Sequence, residues 1–466
     1  MQDKDLAPQT STVSVEGEFE RALGDILARV SVCAPVSVAV AYSGGLDSAA
    51  LLHLLRNHAA RHPGAVKPFA FHVHHGLSPN ADRWLAHCRQ LCATWQIAFD
   101  ARRVHVADGG GNGVEEAARL RRYAALGEMC RRHGVPLLLT AHHEDDQAET
   151  VMLQLLRGAG VAGLSGMERA NHAPDLLGDP QLLMGRPLLG LARADLEAYV
   201  GHHAVPYVED ESNLDPRYAR NALRHRVMPV LTQCFPGFQQ RFTRTAQHAR
   251  TAQRLLDELA SRDLATCLDG DSLDVRKLRQ LDTDRIDNLL RHWLAVRGIR
   301  MPSTSWLEEL RTQLLEAKRD AQLCVTHADC CVRRHRDRVF LTPRMESPVP
   351  QPSAFRWQGE PELRWPQFGG TLHFDVGGQG VDATWLRTQP LTIRLRSGGE
   401  RLKLAANRPT RTLKQHYQAL GVPAWERVRL PLVFAGPHLL FAAGIGMDAH
   451  AVEPVEQGVR LRWEWD

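Results

Sequence analysis

The run Val36-Ser-Val-Ala-Val-Ala-Tyr42 passes straight into Ser43-Gly-Gly-Leu-Asp-Ser48, and that into Ala49-Ala-Leu-Leu-His-Leu-Leu55. A short apolar run bounded by glycines reads as a buried strand, and the segment after it as a helix. Gly44 and Gly45 let the backbone take positive φ and approach a ligand closely. The free N–H groups and dipole of the first helical turn then suit an anion. The loop has neither the lysine of a Walker A loop nor the spacing of G-x-G-x-x-G. Asp47 would repel a phosphate unless it held a cation such as Mg²⁺. The bland alternative is an ordinary glycine turn. Six residues in this strand–helix context favour the anion site.

The surrounding pattern alternates strands with helices. Apolar residues at helical spacing over 19–30 precede the first strand, and strands at 67–74, 97–106 and 136–141 follow it. Such alternation calls for a doubly wound parallel sheet, with ligands at the carboxyl ends of the strands. His74-His75-Gly76 falls at one such end. The strand at 136–141 runs into His142-His-Glu-Asp-Asp-Gln-Ala-Glu-Thr150, then a helix stopped at Gly158 and Gly160. Acidic residues in a first helical turn are favoured by the dipole alone. That does not account for His142 and His143, so this cluster reads as ATP and metal handling. Gln147 stands where a zinc-protease helix would carry its second histidine. On the helix Val114–Leu126, Arg119 and Arg122 share a face, and a solvated charged face is the alternative. Arg217, Arg220 and Arg224 recur at spacings of three and four, a basic stripe suited to phosphate.

The loop S-G-G-L-D-S resembles the PP-loop of the ATP pyrophosphatase family. The order S-G-G-L-D-S, E-A-A-R-x-x-R-Y, H-H-x-D-D-Q-x-E-T, Arg186-Pro-Leu-Leu189 and D-x-S-N…R-N-x-x-R resembles the tRNA(Ile)-lysidine synthetase family. The resemblance is most specific over 36–225 and 394–447. It implies an α/β catalytic domain with a doubly wound parallel sheet, then a helical accessory domain and a small α+β C-terminal domain. The corresponding boundaries are a lead-in at 1–17, the catalytic domain at 18–235, the helical domain at 236–345, a proline-rich linker at 346–356 and the last domain at 357–466.

The family's reaction adenylates O2 of the wobble cytidine of a tRNA(Ile) with a CAU anticodon, using ATP. The ε-amine of free L-lysine then displaces AMP, and the product reads AUA instead of AUG. Carried over to this chain, Ser43, Gly44, Gly45, Leu46, Asp47 and Ser48 would hold ATP. Asp47 with either Asp145 or Asp146 would hold Mg²⁺, Asp146 being the choice adopted. Arg119 or Arg122 would stabilise charge at the α phosphate, and His142 or His143 would bind phosphate or move a proton. Asp210 and Glu209 are candidates for lysine recognition, and the base for the lysine amine is left open. Arg217, Arg220 and Arg224 would position RNA, as would Arg396, Arg401, Arg411 and Lys414 in the C-terminal domain. The basic stretch Arg333, Arg334, His335, Arg336 and Arg338, read as the second strand of a hairpin over 331–341, is a further RNA-facing candidate. Ser397-Gly-Gly399 is a turn presenting arginines.

The rest of the composition narrows the field. A net charge of +4 over 466 residues permits a nucleic-acid partner without requiring one. The nine cysteines contain no C-x-x-C pair, which argues against a 2-thiocytidine synthetase and points to free thiols in a reducing cytoplasm. No glutaminase-sized segment precedes the loop, which argues against an amidotransferase. A passive nucleotide-binding module of the universal-stress type has no use for Asp47 and the 142–149 cluster. The acidic N-terminus does not resemble a signal peptide, and no apolar run is long enough to span a membrane. A homodimer is compatible with everything in the sequence.

Overall fold

The computed structural model describes residues 14–74, 76, 78–104, 113–209, 219–317, 323–327, 330–344, 350–451 and 453–466. His75 and the candidates Asp210 and Arg217 lie outside the described residues. By contact density the chain forms two compact units, Met1–Leu256 and Asp257–Asp466.

The first unit begins α1 (Val15–Leu27), β1 (Val36–Ala41), α2 (Leu46–Arg61), β2 (Val66–His74), α3 (Ala81–Thr94), β3 (Ala98–Arg103), α4 (Gly113–His133), β4 (Leu137–Leu139) and α5 (Glu144–Leu156). It continues with α6 (Val161–Leu164), β5 (Ala170–His172), α7 (Pro174–Leu177), β6 (Leu183–Gly185), α8 (Arg193–His202), α9 (Ala219–Ala222), a π turn at Leu223–Val227, α10 (Met228–Cys234) and α11 (Phe238–Cys267). Its six strands order as β3-β2-β1-β4-β6-β5. All neighbours are parallel except β5 on β6.

Side-chain alternation explains the layers. Val38 and Val40 of β1 and Leu137 and Leu139 of β4 pack with Phe19, Leu23 and Leu51 from α1 and α2. Ala39 and Leu138, one residue out of phase, face Tyr123, Leu126 and Met129 of α4. Both faces of the sheet are covered, so its strands read as continuous apolar runs. β1 and β4 are adjacent in the middle, which puts the two loops singled out from the sequence side by side at the strands' carboxyl ends.

In the second unit, helices at Thr283–Val296 and Thr304–Glu316 pack around the fully buried Trp293 against a five-stranded antiparallel sheet. Here the expected strand over 331–341 is two strands, Cys330–His335 and Arg338–Pro343, reversing at Arg336 with φ 55°. A non-glycine residue at the turn gave no signal in the sequence. Pairing also corrects the basic strand: Arg334 points inward, buried, and donates to Leu314 O at 2.7 Å and Ala317 O at 2.9 Å. The C-terminal part holds a five-stranded and a three-stranded sheet around Trp357, Tyr417 and Phe434. All nine cysteines are free. Among the described residues no helix is long and apolar enough to cross a membrane.

Candidate active site

At the end of β1 the chain turns through Gly44 with φ 91°. A Cβ there would lie 2.8 Å from Cys88 Sγ and 3.1 Å from Val208 Cγ2, so both conformation and space demand glycine. Gly44 O accepts from Val208 N at 2.9 Å, which lays the segment after α8 along the loop. Ser43 Oγ accepts from Gly45 N at 3.3 Å, and Ser48 Oγ donates to Gly45 O at 3.0 Å. These contacts shape a turn whose helix, α2, opens with Asp47 in its first turn.

At the end of β4, Thr140 N donates to Gly185 O at 2.9 Å, and the Thr140 hydroxyl lies 2.8 Å from His142 Nδ1. His143 precedes α5, and its N–H donates to Asp146 Oδ2 at 3.1 Å, one half of a capping box. Its buried ring sits among three carboxylates. Nε2 is 3.8 Å from Asp47 Oδ2 and 3.3 Å from Asp146 Oδ2, and Nδ1 is 3.6 Å from Asp145 Oδ2.

The two histidines are shifted in opposite directions. Burial pushes His142 down to about 3, so its ring is neutral. Burial opposes the charged form of His143 too, but the neighbouring carboxylates of Asp145, Asp146 and Asp47 outweigh it and raise its pKa. Desolvation likewise acts on Asp145 and Asp146, yet His143, the Arg193 backbone N–H and Gln239 hold Asp145 down to about 2, and His143, Arg220 and Arg224 hold Asp146 there. Asp47 moves the other way, raised by burial. Its Oδ1 is buried without a partner. A desolvated, unpartnered carboxylate oxygen beside a second carboxylate is a set of donors that fits a divalent cation.

Asp146 and Asp145 are separated by what they touch. Asp145 is engaged by Arg193 N at 2.9 Å and Gln239 Nε2 at 3.3 Å. Asp146 lines a cavity of about 1080 Å³ together with Ser43, Gly45, Leu46, Asp47 and Ser48. His142, Arg122 and Arg224 line it as well. Arg119 does not: it is exposed and pairs with Glu116 at 3.3 Å. His143 and Arg186 are not part of the cavity lining, and Arg186 donates to Glu168 O and Asn171 Oδ1 at 2.7 Å each.

Sequence reasoning gave Glu149 a place in the 142–149 cluster but no individual role; the structure places it buried beside Asp146, outside the cavity lining. Arg220 Nε donates to Glu149 Oε2 at 2.7 Å and Arg224 Nε to Glu149 Oε1 at 2.6 Å. The same two guanidinium groups reach Asp146 Oδ1 at 3.0 and 3.1 Å. The π turn at Leu223–Val227 carries Arg224 to the carboxylate that Arg220 already holds. Glu149 stands one turn after Asp146 on α5, and that spacing was the available signal. In the second unit, Arg401 and Arg411 are exposed on the facing strands of a two-stranded ribbon, and Lys414 is exposed on the next helix. Arg396 is half-buried in the preceding turn.

A glycine loop feeding a helix at the middle of a parallel sheet, with Asp47 facing the acidic start of α5, defines a PP-loop enzyme that binds ATP. The PP-loop domain model matches residues 15–231, the TilS substrate binding domain model 273–340 and the TilS substrate C-terminal domain model 391–463. A tRNA(Ile)-lysidine synthase of Ralstonia nicotianae is 43% identical over 92% of this chain and 92% of its own length. One from Coxiella burnetii is 37% identical over 87% and 88%. Among solved structures, the U34-tRNA thiolase NcsA of Methanococcus maripaludis is similar at 17% identity and a TM-score of 0.40, covering 50% of this chain and 76% of that one, too distant to bear on function. The chain belongs to the tRNA(Ile)-lysidine synthase family and is a ligase.

Proposed function

We propose that this enzyme joins free L-lysine to C2 of the wobble cytidine in a tRNA(Ile) bearing the CAU anticodon, in two steps within the cavity at Asp47. The observation that carries the reading is the meeting of the PP-loop, Asp47 and Asp146 around one cavity, in a chain of this family. In the first step the cytidine O2 attacks the α phosphorus of ATP, the α–β bridging bond breaks and pyrophosphate leaves. In the second the lysine ε-amine attacks C2, the C2–O2 bond breaks, and AMP leaves with that oxygen.

The chain's own groups suit both steps. Donors of residues 43–48 bind the phosphates, with the α2 dipole behind them. Asp47 and Asp146 would hold Mg²⁺, which would neutralise phosphate charge when bound. Arg122, on the cavity wall, is placed to meet charge growing at the α phosphate. Neutral His142 donates or accepts a hydrogen bond without adding charge. His143, its pKa raised among Asp47, Asp145 and Asp146, favours the charged form of these acids. Arg401, Arg411 and Lys414 offer phosphate contacts to RNA. Glu209, which also lines the cavity, is a candidate for binding lysine.

Asp47→Asn tests the reading. Pyrophosphate release from ATP should fall at least about a hundredfold, an effect typical of losing one electrostatic group at a reacting centre, while the melting temperature holds or rises, because a desolvated carboxylate is removed. Retained pyrophosphate release would overturn the role of Asp47.

A further inference from the structure

On the other side of the sheet from α4, helices α1 and α2 bring three metal-ligating side chains together. His58 lies in the last turn of α2 and His62 at its C-cap, four residues on, so both rings leave one face. Their centroids are 4.7 Å apart. Glu20 arrives from α1, its Oε2 lying 2.6 Å from His58 Nδ1 and 3.9 Å from His62 Nε2. One ligand atom from each residue lies within 4.8 Å of the other two, the one such grouping of His, Cys, Asp or Glu among the described residues. Bonds of about 2.0–2.1 Å at tetrahedral angles put ligand atoms about 3.3 Å apart. Two of the three separations straddle that value and the third lies within 4.8 Å, so closure on an ion needs side-chain shifts of no more than about 1.5 Å.

Two further features suit the site. Glu20 Oε1 is 3.2 Å from Arg61 Nη2, and a ligating carboxylate is usually steadied by an outer partner of this kind. Phe19 meets the His58 ring edge-on at 6.5 Å, and the exposed His62 leaves an open approach. Against them, the Arg61 guanidinium opposes a cation, and His58 Nε2 is buried without a partner. Arg61 also reaches Glu16 at 3.5 Å, which draws part of its charge away.

We propose that Glu20, His58 and His62 form a site for a zinc-like transition-metal ion, distinct from the Mg²⁺ site, that clamps α1 to the far end of the helix beginning at the PP-loop. Two imidazoles and one carboxylate favour Zn²⁺ or Co²⁺ over Mg²⁺. Water fills the fourth position.

The test titrates Co²⁺ into the full chain with Mg²⁺ in excess, reading visible absorption, and measures melting with and without Zn²⁺. The wild type should bind one equivalent of Co²⁺ with a tetrahedral spectrum and melt higher with Zn²⁺. His62→Ala and Glu20→Gln should each weaken Co²⁺ binding at least tenfold and abolish the melting shift, while pyrophosphate release from ATP is unchanged. Absence of a tetrahedral spectrum in the wild type, or variants that bind and melt as the wild type does, would overturn the proposal.

Discussion

Asp146 serves two sets of neighbours at once, with Oδ1 toward Arg220 and Arg224 and Oδ2 toward the backbone and ring of His143. Glu149 supports this arrangement, since it accepts from the Nε of both guanidinium groups and is itself only 2% exposed. Removing one member of a buried ion cluster leaves uncompensated charge, at a cost of about 3–5 kcal/mol. Glu149→Gln should therefore lower stability to urea by about that much, and an unchanged midpoint would show that the cluster is not coupled in this way. Glu144 offers a pH test. Burial, then the charges of Asp145 and Asp195, push its carboxyl up to about 7. A raised carboxyl pKa means the folded state holds the proton more tightly than the unfolded chain. Its contribution is present in full below the unfolded value of about 4.3 and is lost as pH rises through about 7. In magnesium-free buffer, Glu144→Gln should match the wild type near pH 4 and exceed its stability near pH 8. Equal stability at both would contradict the shift. Residue types and local spacing singled out Asp47, His142, His143 and the pair Asp145 and Asp146 as candidates. They could not announce that Arg220 and Arg224 meet acids more than 70 positions earlier, because a basic stripe looks the same whether it faces phosphate or a buried carboxylate.

Elements were more legible where periodicity was strong. The apolar run at 36–42 and the strand–helix alternation predict the parallel sheet, and the adjacency of β1 and β4 follows from both carrying a ligand loop. The reversal at Arg336 had no glycine or asparagine to mark it, so one strand was expected where two exist. That hairpin turns out to join the two accessory parts. The Arg333 guanidinium lies 5.5 Å from the centre of the Trp425 ring, and Phe340 meets the same ring edge-on at 5.6 Å. His335 Nε2 lies 3.1 Å from Gly421 O, and Arg336 donates to Gln418 O at 3.1 Å. One aromatic anchor with polar contacts around it resembles the centre of a protein interface. Trp425→Ala should split the unfolding of residues 257–466 into two calorimetric transitions. A single transition would mean the two parts are held together elsewhere.

At the scale of the whole molecule, the chain divides its labour between a unit that carries the ATP chemistry and a unit whose exposed Arg401, Arg411 and Lys414 suit an RNA backbone. The sequence changes texture from about Phe238, whereas the compact units part at 256, inside α11, where one continuous helix carries no linker signal. What the site acts on was legible only through motif order, since glycine loops and acid clusters specify phosphate chemistry and not the nucleophile. The most direct measurement therefore supplies the purified chain with ATP, Mg²⁺, labelled lysine and a tRNA(Ile) transcript carrying a CAU anticodon. Lysine should enter the RNA with one pyrophosphate released per lysine, and should fail to enter when the wobble cytidine is replaced by uridine. Pyrophosphate release without lysine transfer, or transfer that ignores the cytidine, would contradict the proposed reaction.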